Sequence, residues 1–404
     1  MLTGMLSIKL NCNKSIHLQQ DFSGGMEMDI STLCIHGSDD STDCTGSVTV
    51  PIYQTATFSH PSLGKSTGYD YSRMQNPTRE HLEKVVARLE HGTDCMAFSS
   101  GMAAITALME LFRPGDHIVA TDDLYGGSIR LFRTISEKNG LIFDAADTSN
   151  LSQLKLKIKP KTKALFIETP TNPMMHVTDI KKAASIAHRQ HAFLIVDNTF
   201  LTPYFQTPIL LGADLVVHSG TKYLSGHNDT LAGFIVTSTQ ELSDKLRFIY
   251  KTTGACLSPF DSWLTIRGIK TLAVRMEKAQ KNAYIIAEWL RKHPKVKKVL
   301  NVGLTDHPGF AVNQKQSSGS GAMISFEVNS VETAKNLLER VKLIHFAESL
   351  GGVETLITYP STQTHADLTK EERNKKGISD RLLRLSVGIE SVNDLIDDLR
   401  QALV

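Results

Sequence analysis

Cysteine is scarce in this chain. Five cysteines (Cys12, Cys34, Cys44, Cys95, Cys256) are spread through 404 residues, and none sits in a C-x-x-C pair. A disulfide scaffold and a structural zinc ribbon are therefore excluded, and a reducing cytoplasm is the expected location. An excess of one charge is also missing: 44 Lys plus Arg face 42 Asp plus Glu, a net charge of +2. That balance gives no electrostatic case for a nucleic acid or an anionic membrane as partner. No apolar run approaches the roughly 20 residues that span a bilayer. The N-terminal stretch lacks an uninterrupted apolar core and residues 1–27 contain no Arg, so neither a signal peptide nor a transit peptide is expected. Residues 1–27 are expected to be a disordered extension, with Met26 and Met28 as alternative starts. The two common nucleotide cradles, G-x-G-x-x-G and G-x-x-x-x-G-K-[ST], do not occur.

What is present is an ordinary globular composition, 41% apolar and 21% charged, in a chain long enough to bury a large core. From about Thr93, short apolar runs alternate with helical stretches. Glu80 to Leu89 reads as a helix stopped by His91-Gly92. CMAF (95–98) leads through Ser99-Ser100-Gly101 into the helical run 103–112. HIVA, ALFIET, AFLIVD, ADLVVHS and AGFIVTS follow as strands, with the helix IKKAASIAHRQ between. Fully apolar strands separated by helices indicate a mostly parallel α/β sheet covered on both faces. After about Pro259 the pattern changes to one long helical stretch, 262–291, then strand and helix candidates up to the pair RLLRLSVGIE and VNDLIDDLRQAL. A smaller C-terminal α+β domain is expected, with its boundary near residue 262.

Three features carry chemistry. Lys222 follows an apolar strand in the hydroxyl-rich loop His218 to Tyr223. Asp197 ends the strand LIVD, where a buried carboxylate needs a cationic partner, although it could equally cap the turn Asn198-Thr199. Ser99-Ser100-Gly101-Met102 opens a helix, and a helix N-terminus suits a phosphate. A loop lysine, a strand-end aspartate and a phosphate turn in one α/β domain suggest pyridoxal phosphate.

Eight segments then match one family in order: Tyr71-Ser72-Arg73 with Asn76-Pro77-Thr78-Arg79, Ser99 to Met102, Leu124-Tyr125-Gly126-Gly127, Thr169-Pro170-Thr171-Asn172-Pro173, Val196-Asp197-Asn198-Thr199, Ser219 to Lys222, Glu348-Ser349-Leu350-Gly351-Gly352, and Arg384-Leu385-Ser386-Val387-Gly388. On these the sequence resembles the pyridoxal-phosphate enzymes of Cys/Met metabolism, the trans-sulfuration group of cystathionine β- and γ-lyases, cystathionine γ-synthase and methionine γ-lyase. The resemblance implies pyridoxal-phosphate fold type I, aspartate-aminotransferase-like, with residues 28–74 as an arm on a neighbouring subunit, 75–262 as the cofactor domain and 263–404 as the C-terminal domain. It implies Lys222 as the Schiff-base lysine and acid/base, Asp197 as partner of the pyridine nitrogen, and Tyr125 as the residue stacked on the ring. Gly101, Met102, Ser219 and Thr221 would hold the phosphate, while Tyr71 and Arg73 would reach a neighbouring subunit's cofactor, which implies a homotetramer of site-sharing dimers. Asn172, Ser349 and Arg384 resemble the substrate-carboxylate clamp.

By resemblance again, Glu348 stands at the acidic position of cystathionine-handling members, and Gly127 stands where methionine γ-lyases usually carry Cys. Met74-Gln75 departs from the Ser-Gly common between the Arg and the Asn-Pro-Thr, which bears on substrate preference and not on the cofactor. The expected activity is a carbon–sulfur lyase acting on cystathionine or a related sulfur amino acid. Cystathionine γ-synthase is the alternative, then methionine γ-lyase. A catalytically silent relative serving in assembly is disfavoured by the presence of Lys222, Asp197 and Arg384. Most of the histidines, His36, His60, His91, His117, His218 and His227 among them, are expected on the surface or in loops, with no metal site. The charge run 371–376 is expected to be a solvated loop.

Overall fold

A computed structural model describes residues 28–38 and 45–403; the extension expected over 1–27 lies outside them. Seven strands form the first sheet: β1 (Asp94–Phe98), β2 (His117–Thr121), β3 (Ile142–Ala146), β4 (Thr162–Glu168), β5 (Phe193–Asp197), β6 (Leu215–Ser219) and β7 (Gly233–Thr237). Their order is β1-β7-β6-β5-β4-β2-β3, and only β7 runs antiparallel to its neighbours. This is the mostly parallel α/β sheet of fold type I. The apolar runs are explained by helices on both faces: Leu165, Ile167, Leu194, Val196 and Val216 belong to one core cluster, and Phe166, Ile195, Leu215 and Val217 to the other. Alternate side chains of the same strands thus feed two cores.

Five strands form the second sheet, in the order β10-β11-β12-β9-β8: β8 (Val296–Leu300), β9 (Met323–Val328), β10 (His345–Phe346), β11 (Leu356–Thr358) and β12 (Leu382–Ser386). Near the N-terminus, α1 (Ile30–His36) packs on α2 (Pro77–Leu89). The Asn-Pro-Thr-Arg segment is structural in this chain. Asn76 Oδ1 accepts from the N–H groups of Thr78 and Arg79 and so caps α2, Pro77 takes the first helical turn, and Arg79 is buried with its guanidinium on the Ser72 and Leu257 carbonyls.

Two expectations need correction, and two histidines fall outside the expected majority. The stretch 262–291 is two helices, Pro259–Ile269 and Leu272–Arg291, broken at Lys270-Thr271. There Arg275 turns back to donate to the Tyr223 and Gly268 carbonyls, tying the second helix to the lysine loop. The charge run is not a plain loop: Lys370–Lys375 is a helix whose Thr369 and Glu372 form a capping box. His117 and His218 are buried in strands rather than exposed, bonded to Thr162 and Glu90 respectively. Among the described residues no helix is long and apolar enough to cross a membrane.

Candidate active site

Open α/β sheets bind ligands outside the carboxyl ends of their parallel strands. Here those ends deliver Ser100 and Gly101 after β1, Tyr125 after β2, Glu168 and Asn172 from β4, Asp197 from β5, and Ser219, Thr221 and Lys222 from β6. Between them lies a cavity of about 200 Å³, walled by Ile105, Phe200, Val217 and Leu350.

The phosphate turn is built as a cradle. Ser100 caps α3 (Gly101–Met109) by accepting from the Ala103 N–H at 3.1 Å, which leaves the N–H groups of Gly101 and Met102 at the open helix end. A Cβ on Gly101 would come to 3.0 Å from the Ser219 side chain, so any larger residue would push the helix start and β6 apart by a few tenths of an ångström. Thr221 Oγ1 is engaged with Ala232, accepting its N–H at 3.0 Å.

Asp197 Oδ1 caps the turn, accepting from the Thr199 N–H at 3.0 Å and the Thr199 hydroxyl at 2.5 Å. The other oxygen takes no bond from that turn, and the residue lines the cavity. Burial pushes the Asp197 carboxyl upward despite the two bonds from Thr199. A cation at that oxygen would offset the cost.

Lys222 Nζ donates to Ser349 Oγ at 2.8 Å. Burial lowers the amine to about 8, with Arg384 nearby acting in the same direction and Glu348 opposing. Arg384 is 1% exposed. Its Nη1 donates to Asn172 Oδ1 at 2.8 Å and its Nη2 to the Ser349 carbonyl at 2.8 Å and Thr358 Oγ1 at 3.1 Å. Its Nε is buried without a partner. An unused guanidinium donor of this kind suits a carboxylate.

Tyr125 is 43% exposed at the mouth of the cavity. Gly127 sets its rotamer, because a Cβ there would meet the Tyr125 ring at 2.4 Å. From the other side, a Cβ on Gly126 would strike the Thr364 carbonyl at 2.3 Å. Beside that segment His365 is buried, and desolvation reinforced by Arg384 and Lys376 lowers it to about 4, so it is neutral.

The strand ends thus bring together Gly101, Met102, Tyr125, Asp197, Ser219, Thr221 and Lys222, with Asn172, Ser349 and Arg384 bonded beside them. Glu348 lies at the rim, in a second opening of about 1000 Å³ that shares Thr221 with the first. Tyr71 and Arg73 stay outside. Both are exposed, and Arg73 lies 5.5 Å from the Tyr71 ring with its Nη1 on the Lys251 carbonyl. Sequence reasoning passed over Glu168, although a carboxylate ending the apolar run ALFIE carries the same signal as Asp197.

A helix-end cradle, a lone lysine amine and a strand-end carboxylate with a spare oxygen around an apolar slot are the donor set pyridoxal phosphate requires, so these residues fit it. The comparisons agree. The Cys/Met metabolism PLP-dependent enzyme family matches residues 31–404. The chain is 50% identical over 372 residues to cystathionine gamma-lyase of Bacillus subtilis (strain 168), covering 92% of this chain and 98% of that protein. It is 49% identical over 374 residues to cystathionine beta-lyase of Lactococcus lactis subsp. cremoris (strain MG1363), covering 93% and 98%. A crystal structure of cystathionine gamma-lyase from Lactobacillus plantarum complexed with L-serine superposes with a TM-score of 0.91 at 43% identity, over 93% of this chain and 98% of that one. With the cofactor site and the whole-chain match in agreement, the protein belongs to the Cys/Met metabolism family of pyridoxal-phosphate-dependent enzymes.

Proposed function

We propose that this enzyme is a carbon–sulfur lyase that eliminates a thiol from cystathionine. The observation that carries the reading is the second opening. It adjoins the Lys222–Ser349 pair and is lined by Asp229, Asp261 and Glu348, with His345 its only basic side chain. An acidic chamber beside the reacting amine suits a long substrate whose far end carries an ammonium group.

The residues divide the work. Gly101, Met102, Ser219 and Thr221 would hold the cofactor's phosphate, Asp197 its ring nitrogen, and Lys222 would bond it covalently. Pyridoxal phosphate supplies an electron sink that stabilises negative charge at the substrate α-carbon. Arg384 Nε, backed by Asn172 and Ser349, would orient the substrate carboxylate. An amine lowered to about 8 is free base in useful amount near neutrality, so Lys222 Nζ can take the α-proton and return it to a neighbouring carbon. The Tyr125 hydroxyl would protonate the departing sulfur.

The same reading makes residues 28–74 an arm that lends Tyr71 and Arg73 to a neighbouring subunit, with 75–262 as the cofactor domain and 263–404 as the C-terminal domain. It predicts a homotetramer working in the cytoplasm. Exposure of Tyr71, Arg73 and every residue from 59 to 68 supports the arm. Formation of a free thiol and a 2-keto acid from L-cystathionine by the loaded protein tests the activity. A protein that binds no pyridoxal phosphate refutes it.

A further inference from the structure

Glu168 has no part in the roles above, yet it lines the same cavity as Lys222. It ends β4, is 6% exposed, and pairs in register with Asp197 across the β4–β5 ladder. A carboxylate in such a place is retained only if its oxygens are bonded. Its hydrogen-bond partner is not a cation but a backbone N–H group of another loop: the Tyr125 N–H donates to Oε2 at 3.0 Å. Tyr125 belongs to the loop after β2.

We infer that Glu168 is a positioning residue: its carboxylate holds the Tyr125 loop, and so sets the position of the Tyr125 ring at the cavity shared with Lys222 and Asp197. The inference rests on the role proposed for Tyr125. Burial, reinforced by Asp197, pushes the Glu168 carboxyl well above the usual range. A backbone N–H donor is suited to such a group, because it asks only for an oxygen lone pair and tolerates a neutral acid better than a cation would.

The test is Glu168→Gln, which is nearly isosteric but replaces one carboxylate oxygen by an NH2 group that cannot accept from the Tyr125 N–H. Glu168→Asp serves beside it, keeping both oxygens with a reach one methylene shorter. The expected result has three parts. The melting temperature stays close to wild type. The visible circular dichroism of bound pyridoxal phosphate, measured without substrate, falls by half or more. The KM for cystathionine rises ~10-fold, the change expected when a buried donor loses its hydrogen bond. In a Tyr125→Ala background Glu168→Gln should raise KM less than twofold further, since coupled residues are not additive. Wild-type dichroism and KM in both variants overturn the inference, as does a lowered melting temperature with those two readouts unmoved, or full additivity with Tyr125→Ala. A wild-type protein that shows no cofactor dichroism at all overturns the site reading itself, which separates the two failures.

Discussion

The Lys222 amine and the Ser349 hydroxyl meet at 2.8 Å across 127 residues of sequence, joining the end of β6 to the loop before β11. Ser349 holds φ at +103°, a region that side chains rarely adopt, and its carbonyl takes Arg384 Nη2. Such strain costs on the order of 1–3 kcal/mol. Ser349→Gly should therefore leave the thermal stability of the apo-protein unchanged or raised by about 1 kcal/mol. Activity on cystathionine should nevertheless fall ~10-fold from loss of the hydroxyl. Thermal melts and steady-state kinetics on the same sample check the opposed signs.

Lys222 also gives a pH signature. Its amine sits near 8 in the folded apo-protein against an ordinary lysine value of 10.5. Between those values the unfolded chain binds the extra proton, so this group makes apo-protein stability rise with pH from about 8 to about 10.5. Chemical denaturation across that range should show a steeper rise for wild type than for Lys222→Met. Equal slopes would mean an unshifted amine.

Covalent capture locates the lysine directly. Borohydride reduction of the pyridoxal-phosphate-loaded protein followed by peptide mass spectrometry should find the added mass on the peptide carrying Lys222. Lys222→Ala should lose it, along with the yellow colour. Labelling on another lysine would displace Lys222 from its role.

Much of this was legible in the chain. Buried parallel strands such as β4 and β5 have no polar face, so they stand out as unbroken apolar runs, and their ends point to Asp197 and the Lys222 loop. Strand β3, IFDAA, escaped notice because it is the edge strand, with Asp144 facing His117 and Lys159. Strand β8, VKKVL, hides its pattern under two exposed lysines. The helix break at Lys270-Thr271 comes from a tertiary contact, the fold-back of Arg275, that no local pattern encodes. Glu168 ends an apolar run just as Asp197 does; what no motif displays is its partner, the Tyr125 backbone N–H.

Gly127 shows how a missing side chain shapes the site. Because a Cβ there would meet the Tyr125 ring at 2.4 Å, Gly127→Ala should displace the ring. Overpacking of this kind typically costs about 1–3 kcal/mol. The expected loss in kcat/KM is ~10-fold or more, with cofactor affinity within threefold of wild type, read by fluorescence titration. Unchanged kinetics would show that the ring position is unimportant to turnover.

The clamp and the acidic rim should separate in kinetics. Arg384→Lys removes the planar fork and should raise KM ~10- to 150-fold for every amino-acid substrate, the equivalent of a charged hydrogen bond. Glu348→Gln should weaken cystathionine, which has a second ammonium, while sparing a substrate that lacks one. Equal effects on both substrates would remove Glu348 from recognition of the distal group.

Association tests the arm. Sedimentation of wild type should show a tetramer, and Arg73→Ala should weaken cofactor binding although Arg73 lies outside its own chain's cavity. A fully active monomer would contradict the shared site.

The most direct test of the whole account is product analysis after L-cystathionine is added to the pyridoxal-phosphate-loaded enzyme, with Lys222→Ala as control. The account predicts a thiol amino acid from one half of cystathionine and ammonia with a 2-keto acid from the other, either cysteine with 2-oxobutyrate or homocysteine with pyruvate, and none from the control. No turnover of cystathionine, with cysteine instead consumed only alongside a homoserine ester, would contradict the lyase and make the enzyme a synthase.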